Sequence, residues 1–229
     1  MSTDLNTDLV TGHLAFDWIT RFATDFATAQ ERLTELDRLA GDGDFGTNIA
    51  SALRRATDKL PDREIASFAT VFGATSRGFL ATGGTSGPLF GMWLRDISRA
   101  GSPAGASATE LAAGVAAGLA TIQKLGGAKV GDNTMIDALA PATDALTETA
   151  ERRSSLAAAL GAAAVAARAG AESTADLVAS RGRASYVGEL ARGVLDPGAV
   201  TIALFFESGA AAVGAFEGRP LEWLDAVVG

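Results

Sequence analysis

Apolar residues recur at helical spacing along nearly all of the 229-residue chain, and glycine-rich segments interrupt them. Leu14, Trp18 and Phe22 follow one another at a four-residue step, which places them on one face of an α-helix. No strand pattern alternates regularly with these segments, so a doubly wound sheet is not expected. Residues 200–206 have strand character but are equally compatible with the buried start of a helix. The pattern predicts a single all-α domain of about eight helices.

Charge and composition restrict the partners of such a chain. The formal net charge of −8 argues against a basic surface for nucleic acid or anionic lipid, so no nucleic-acid partner is expected. The absence of cysteine rules out disulfides and thiolate metal sites. The first residues lack the basic and apolar regions of a secretory signal. The longest uncharged run, residues 78–94, is interrupted by glycine and proline, so we expect no membrane span and a cytoplasmic protein.

Three carboxylates stand within eight residues in the segment LDRLAGDGDFGTN, as Asp37, Asp42 and Asp44. Adjacent carboxylates repel one another, and Arg38 is the one cation in this cluster. The intervening glycines oppose a continuous helix, so we expect Asp37 to end one helix and the other two to lie in a loop. Oxygen ligands of this kind suit Mg²⁺ or Ca²⁺. A solvated turn with an aspartate N-cap is the alternative.

Two known patterns overlap this segment, and both fail. Residues 41–46 match the dinucleotide fingerprint G-x-G-x-x-G, but a helical pattern precedes them where that fingerprint needs a strand. Asp42 and Asp44 would also repel a phosphate unless a metal intervened. The calcium-loop pattern fails because its glutamate position falls on Leu53.

The segment GGTSGPLFG offers two glycines and two hydroxyls before a predicted helix. Such a segment can bind an anion at the helix N-terminus, or it can be an ordinary turn with Thr85 or Ser86 as the N-cap. Farther along, GGAKVGDNTM predicts a turn with Asp132 as a cap. The last predicted helix starts at Asp196-Pro197, because aspartate favours the N-cap and proline the first turn.

The single histidine, His13, lies near the start of the first helix and far in sequence from every glycine-rich segment. The nucleophile motif G-x-S-x-G is also absent. We therefore do not expect a serine hydrolase. The single tyrosine, Tyr186, stands in the glycine-flanked segment GRASYVGE, which carries no specific chemistry on its own.

Taken together, four motifs resemble the L subunit of dihydroxyacetone kinase, the nucleotide-binding half of that enzyme. They are LDRLAGDGDFGTN, GGTSGPLFG, GDNTMIDALAPA, and GRASYVGE followed by DPGA, in the order of that family. The resemblance implies an antiparallel eight-helix barrel with ADP or ATP and two Mg²⁺ ions held by loops at one end. It implies one domain over residues 1–229, with a core at residues 10–215 and a C-terminal tail at 216–229.

The resemblance also implies the residues of the site. The metal ligands would be Asp37, Asp42 and Asp44, and no catalytic residue is expected apart from the metal and nucleotide site. Two cations would offset the aspartates and the charge that develops during phosphoryl transfer. The expected nucleotide contacts are Phe45, Gly46, Thr47, Asn48, Thr85, Ser86, Gly126, Met135, Arg192, Asp196, Pro197 and Gly198.

This chain departs from the family pattern at several positions. Phe45 stands where some members have histidine, and Leu190 and Val194 stand where arginine and histidine are frequent. Arg192 is an arginine displaced by two positions. These differences leave the phosphoryl donor open, either free ATP or a phosphotransferase-system protein.

The implied function is that of the phosphoryl-transfer subunit of a kinase for dihydroxyacetone or a related short ketose. A separate K subunit would hold the sugar. One alternative is a regulatory homologue that keeps the nucleotide pocket without turnover. Another is the nucleotide domain of a fatty-acid kinase, against which the Asp-Pro-Gly turn and the lack of a lipid-carrier domain argue.

Overall fold

Helices dominate the computed structural model, which describes residues 8–181, 185, 192–218 and 220–224. Eight α-helices have their bounds within these residues, which confirms the all-α prediction. They are α1 Gly12–Ala40, α2 Phe45–Thr57, α3 Phe68–Leu80, α4 Ser86–Ser98, α5 Ala108–Gly126, α6 Ile136–Glu151, α7 Leu156–Ser173 and α8 Pro197–Ala212. Two short 3₁₀ helices, Arg63–Ile65 and Thr174–Asp176, and two strands, β1 Leu9–Val10 and β2 Ala106–Ser107, complete the described elements.

The helices form a closed ring. Each one from α1 to α7 packs on the next helix along the chain, and α8 packs on both α7 and α1. Short connections between neighbouring helices make them antiparallel, so the α1–α2, α3–α4 and α5–α6 loops lie at one end of the ring. At the other end, β1 pairs antiparallel with β2, with Leu9 opposite Ser107. The strand pair thereby links the start of α1 to the start of α5.

Residues 200–206 are helical, so the helical alternative for this segment is the right one. Every residue of α8 from Pro197 to Ala210 is buried, and a helix that is apolar all round can have the composition of a buried strand. The helix starts at the predicted place, because the Asp196 side chain accepts a hydrogen bond from the Ala199 N–H at 2.7 Å.

Phe205 of α8 lies at the centre of the aromatic core. Its ring centroid lies 4.7 Å from that of Trp18 on α1 and 4.8 Å from that of Trp93 on α4. The Trp18 indole N–H donates to the Phe205 carbonyl oxygen at 2.8 Å, so this buried donor is satisfied. The predicted apolar stripe of the first helix therefore faces the interior of the ring.

Two boundaries differ from the sequence pattern. Asp37 was expected to end the first helix, whereas α1 continues beyond it to Ala40. Ile65 stands three residues before Phe68, at helical spacing, but it lies in a 3₁₀ turn and is 75% exposed. The cause is Ser67, whose hydroxyl accepts from the Thr70 N–H and sets the start of α3 at Phe68.

Two glycines of α5, Gly114 and Gly118, stand one turn apart and allow close contact with α4. A methyl group on Gly118 would lie 2.5 Å from the Trp93 Cδ1 atom, and one on Gly114 would lie 2.6 Å from the Ala100 Cβ atom. Both distances are below van der Waals contact. Only glycine at these positions lets α5 approach α4 this closely.

A buried carboxylate holds residues 220–224 on the body of the ring. Glu207 of α8 is fully buried and accepts hydrogen bonds from the Leu221 N–H at 2.7 Å, the Trp223 indole at 3.0 Å and Arg168 at 3.0 Å. Burial raises the pKa of Glu207 against the opposing effect of these donors.

The division of the domain into a core at residues 10–215 and a C-terminal tail at 216–229 stays a prediction. None of the described helices is long and apolar enough to cross a membrane.

Candidate functional site

A cleft opens at the end of the ring where α1, α3 and α5 terminate. Its walls come from the α1–α2, α3–α4 and α5–α6 connections and from the start of α8. The cleft thus brings together segments that lie far apart in the sequence, from Asp37 to Gly198. Predicted site residues that line it are Asp37, Asp42, Asp44, Phe45, Asn48, Thr85, Ser86, Gly126, Met135, Asp196, Pro197 and Gly198.

The three aspartates converge as the spacing predicts. Asp37 lies in the last turn of α1, Asp42 lies in the following loop, and Asp44 occupies the N-cap position of α2. Each offers a carboxylate oxygen, and the three oxygens lie within 4.8 Å of one another. Carboxylates approach this closely against their mutual repulsion, which makes the cluster the strongest local negative charge of the cleft.

The loop between α1 and α2 is folded around the Asp37 carboxylate. One oxygen of Asp37 accepts a hydrogen bond from the Phe45 N–H at 2.9 Å. Gly43 adopts φ +75°, a left-handed conformation that a residue with a side chain rarely takes. Arg38, the cation in the segment, pairs with Glu35 one turn earlier on α1. Arg38 is therefore engaged away from the cluster.

The donor set fits a hard divalent cation. Ligand oxygens lie about 2.1 Å from Mg²⁺, so two oxygens of one ion are separated by at most about 4.2 Å. The three aspartate oxygens lie within 4.8 Å of one another, so a small movement of the side chains would bring them to this separation. Within the described part of the chain the cluster holds oxygen donors alone, which favours Mg²⁺ or Ca²⁺ over zinc or copper.

The second wall of the cleft is the connection between α3 and α4. Gly84 has φ +81°, and a methyl group there would lie 3.4 Å from the Asn48 amide nitrogen of α2. Thr85 occupies the N-cap position of α4, but its side chain makes no capping hydrogen bond in the described structure. Ser86 and Gly87, the first residues of α4, line the cleft, and the first N–H groups of this helix have no side-chain acceptor from their own cap.

Two aspartates shape the third wall, between α5 and α6. Asp132 accepts from the Lys129 N–H at 2.8 Å, which confirms the predicted turn. The prediction of Asp132 as a cap is wrong, because α6 starts at Ile136 and its N-cap position is Met135. Asp137, whose role was not predicted, is buried and accepts from the Gly131 and Thr134 N–H groups at 2.5 and 2.7 Å. Its spacing gave no signal, because an acidic residue in the first turn of a helix is common.

Asp196 forms the floor of the cleft at the start of α8. It is half-buried, and its own N–H donates to the Thr174 hydroxyl at 3.0 Å. Burial raises the pKa of Asp196 to about 7, and the negative charges of Asp137 and Asp37 add to this shift. The Ala199 N–H opposes it by stabilising the carboxylate.

Three predicted site residues do not line the cleft. Gly46 lies at the crossing of α1 and α2, where a methyl group would collide with the Thr34 hydroxyl and lie 2.7 Å from the Gln30 carbonyl oxygen. Thr47 and Arg192 also lie outside the lining. Gly46 thus serves helix packing, and the contact roles of all three stay predictions.

Other predicted residues lie elsewhere. His13 stands at the start of α1, at the end opposite the cleft, with its imidazole 3.9 Å from Glu64. Tyr186 and Leu190 lie outside the described residues. Lining residues that lie inside the predicted motifs but were not named singly are Ala40, Gly83, Gly84, Gly87, Leu89, Ala128, Asn133, Thr134 and Ile136. Val194, named as a departure from the family pattern, also lines the cleft, and the lining residues that sequence reasoning missed are Ile49, Ile122, Arg181 and Leu195.

The matching family model covers most of the ring. The model for the DAK2 domain matches residues 39–211. This chain belongs to the DAK2 domain family. The predicted resemblance to the L subunit of dihydroxyacetone kinase is thereby confirmed, although the match starts after Asp37.

Relatives of this DAK2 domain include two bacterial kinase subunits. The chain is 34% identical over 197 residues to the ADP-binding subunit DhaL of the PEP-dependent dihydroxyacetone kinase 1 of Listeria innocua, covering 84% of this chain and 94% of that one. It is 35% identical over 190 residues to the corresponding ADP-binding subunit of Escherichia coli, covering 81% and 90%.

A solved kinase structure shares the fold of the domain. The dihydroxyacetone kinase of C. freundii, in complex with AMP-PNP and Mg²⁺, superposes with a TM-score of 0.66 at 28% identity. The match covers 92% of this chain but 36% of that kinase. The DAK2 domain described here thus spans about a third of that larger enzyme.

Proposed function

We propose that this chain is the nucleotide-binding, phosphoryl-transfer subunit of a kinase that acts on dihydroxyacetone or a related short ketose. The observation that carries the proposal is the convergence of the Asp37, Asp42 and Asp44 oxygens within 4.8 Å in the cleft. Similarity to subunits described as ADP-binding supports the nucleotide, and the AMP-PNP and Mg²⁺ of the C. freundii kinase support the metal.

The three aspartates would hold two Mg²⁺ ions. The ions would neutralise phosphate oxygens and the charge that develops during transfer, which an acidic chain cannot do with its own residues alone. The carboxylates would orient the ions, and the loop around Asp37 would fix the carboxylates in place through the Phe45 N–H.

The start of α4 would hold the phosphates. Its first N–H groups and the helix dipole favour an anion, and Gly84 lets the backbone approach the ligand without a side chain in the way. Leu89, Ile122 and Met135 form an apolar part of the lining that suits a purine base. The cleft therefore offers a polar end for phosphate and an apolar wall for the base.

The sugar would come from a second protein, a K-type ketose-binding subunit. The two bacterial relatives are named as subunits, and this chain covers nearly their whole length while it spans a third of the larger C. freundii kinase. The donor would be free ATP or a phosphotransferase-system protein that recharges bound ADP, and the two relatives are named as PEP-dependent and ADP-binding. Retention of ADP through dialysis would favour the second donor, and rapid exchange the first.

The experiment is a calorimetric titration of Mg·ADP into the Asp42→Asn and Asp44→Asn variants. We expect each to lose at least about 100-fold in affinity, because a carboxylate that holds the ion is lost. Asp58→Asn, an exposed aspartate at the end of α2 opposite the cleft, is the matched control and should bind as wild type. Wild-type affinity in Asp42→Asn and Asp44→Asn would refute the metal role.

A second candidate is a regulatory homologue that binds nucleotide without turnover. Phe45, which is buried at the cleft where some members carry histidine, favours it because its ring cannot take part in proton or phosphoryl transfer. Mixing the chain with a K-type subunit and assaying ketose phosphate separates the two. Product formation supports the kinase, and Mg·ADP binding without product supports the regulator.

A further inference from the structure

Arg181 is the one cationic side chain among the described residues that line the cleft. The other charged residues of the lining are Asp37, Asp42, Asp44 and Asp196. Sequence reasoning missed Arg181, because it follows no motif spacing.

Asp132 holds Arg181 and its neighbour in place. One oxygen of Asp132 accepts from the Ser180 hydroxyl at 2.6 Å, and the other lies 3.6 Å from the Arg181 Nε atom. The Ser180 N–H also donates to the Asp132 carbonyl oxygen at 3.1 Å. Asp132 itself does not line the cleft. Three contacts to one residue thus fix the chain at 180–181 against the α5–α6 connection.

This anchoring places the guanidinium beside the apolar wall. A methyl group on Gly127 would lie 3.7 to 3.9 Å from the guanidinium atoms of Arg181. The adjoining Gly126 lines the cleft, and a methyl group there would lie 3.9 Å from Leu89, a residue of the apolar wall. Arg181 therefore stands next to the part of the cleft that suits a purine.

The side chain is also available for a ligand. About half of the Arg181 side chain, 51%, is exposed to solvent. Its ion pair with Asp132 uses the Nε atom, at 3.6 Å, so the other N–H donors of the guanidinium can bind a ligand in the cleft. A planar guanidinium stacks on aromatic rings, which an ammonium group does less well.

We infer that Arg181 contacts the purine base of the bound nucleotide and that Asp132 positions it there. The inference rests on the proposed function, since it assumes that the cleft takes a nucleotide. It assigns Arg181 to recognition of the base and leaves the phosphates to the aspartate-bound ions and the start of α4. Arg181 would thus be a determinant of affinity for nucleotides over simple polyphosphates.

The test compares a ligand that has a base with one that lacks it. Calorimetry on the full chain with Mg·ADP and Mg·pyrophosphate should show about a tenfold loss for Arg181→Ala with ADP and no change with pyrophosphate. Arg181→Lys keeps the charge but not the planar group, and we expect about a threefold loss with ADP. Equal losses for the two ligands would overturn the base contact, as would unchanged ADP affinity.

Two further variants separate positioning from folding. Asp132→Asn keeps Arg181 but removes its charged partner, so ADP affinity should fall by less than in Arg181→Ala. Arg152→Ala, an exposed arginine at the opposite end paired with Glu148, is the matched control and should bind as wild type. If Arg181→Ala fails to fold, the Arg181→Lys result decides, and ADP affinity equal to wild type refutes the inference.

Failure of the inference is distinguishable from failure of the proposed function. If the wild-type chain binds neither Mg·ADP nor Mg·pyrophosphate, the proposed function fails. If the wild type binds Mg·ADP and Asp42→Asn does not, while Arg181→Ala binds as tightly as wild type, the proposed function stands and the role of Arg181 is refuted.

Discussion

The helices that begin opposite the cleft start differently from those that begin at it. At the far end, α1, α3, α5 and α7 each begin with a hydroxyl side chain that accepts a backbone N–H of the first turn. These N-caps are Thr11, Ser67, Ser107 and Ser155. Each of them satisfies one of the N–H groups that a helix start leaves without a partner.

At the cleft, most helix starts lack such a capping hydrogen bond. In the described structure the N-cap residues Asp44 of α2, Thr85 of α4 and Met135 of α6 make no side-chain capping bond, and only Asp196 of α8 does. The first N–H of α2 is bound by Asp37, however, and the first N–H of α6 by the Thr134 hydroxyl. In the described structure it is the start of α4 that keeps its N–H groups and positive dipole end for an anion. The far end is thus built for stability, and at the cleft end the start of α4 keeps its hydrogen-bonding capacity for a ligand.

The largest expected effect is the change in the free energy of unfolding when Mg·ADP is bound at the cleft and then removed. At a Mg·ADP concentration about 100 times the dissociation constant, the free energy of unfolding should rise by about 2.7 kcal/mol over that of the free protein. Chelating the metal should remove this gain, and Asp44→Asn should show none of it. Equilibrium urea denaturation with and without ligand measures it. An equal gain in Asp44→Asn would show that the cluster does not hold the ligand.

Removal of a far-end cap comes next. Ser107→Ala should lower the free energy of unfolding by about 1 kcal/mol, because the hydroxyl accepts the Glu110 N–H at 3.2 Å in a capping box. Its affinity for Mg·ADP should not change. Denaturant titration provides the measurement, and Ser154→Ala, an exposed serine outside any cap, is the matched control.

The same change at the cleft end should have less effect on stability. Thr85→Ala removes a hydroxyl that caps nothing, so the free energy of unfolding should change by less than about 0.5 kcal/mol. Affinity for Mg·ADP should fall about tenfold if the hydroxyl contacts a phosphate. A stability loss as large as that of Ser107→Ala would contradict the contrast between the two ends.

The smallest effect is a dependence on pH at the far end. The N–H and hydroxyl of Ser107 hold the pKa of Glu110 below its ordinary value of 4.5. Because the folded-state pKa is the lower one, Glu110 stabilises the fold above pH 4.5 and loses this contribution as the pH falls through its lowered pKa. The difference in unfolding free energy between wild type and Glu110→Gln should therefore shrink on acidification. A difference that grew would reverse the sign of the shift.

Much of the fold could be predicted from local signals. The four-residue step through Trp18 and Phe22 marks a buried helix face, and the spacing of Gly114 and Gly118 marks a close helix contact. These signals work because one helix turn brings such residues to one face whatever else the chain does. The start of α8 at Pro197 was predicted for the same reason, since Asp196 caps it locally.

The site was predictable where its residues are adjacent in sequence and missed where they are not. Asp37, Asp42 and Asp44 lie within eight residues, so a single loop brings their oxygens together. Arg181 enters the cleft because Asp132, 49 residues earlier, holds it there, and no local pattern records that contact. Arg38 was expected to relieve the aspartates, but its position on α1 brings it to Glu35 instead.

By itself, then, the sequence determined the helical class, the start of α8 and the acidic character of the loop before α2. Each of these depends on residues within one or two turns of one another. The tertiary structure alone decided that the strand-like residues 200–206 form a helix buried on all sides, and that Arg181 joins four carboxylates in one cleft. Closure of the ring determines both the helical state of residues 200–206 and the position of Arg181. The reason is that this burial, and the contacts between distant segments, exist only once α8 packs against α1 and α7.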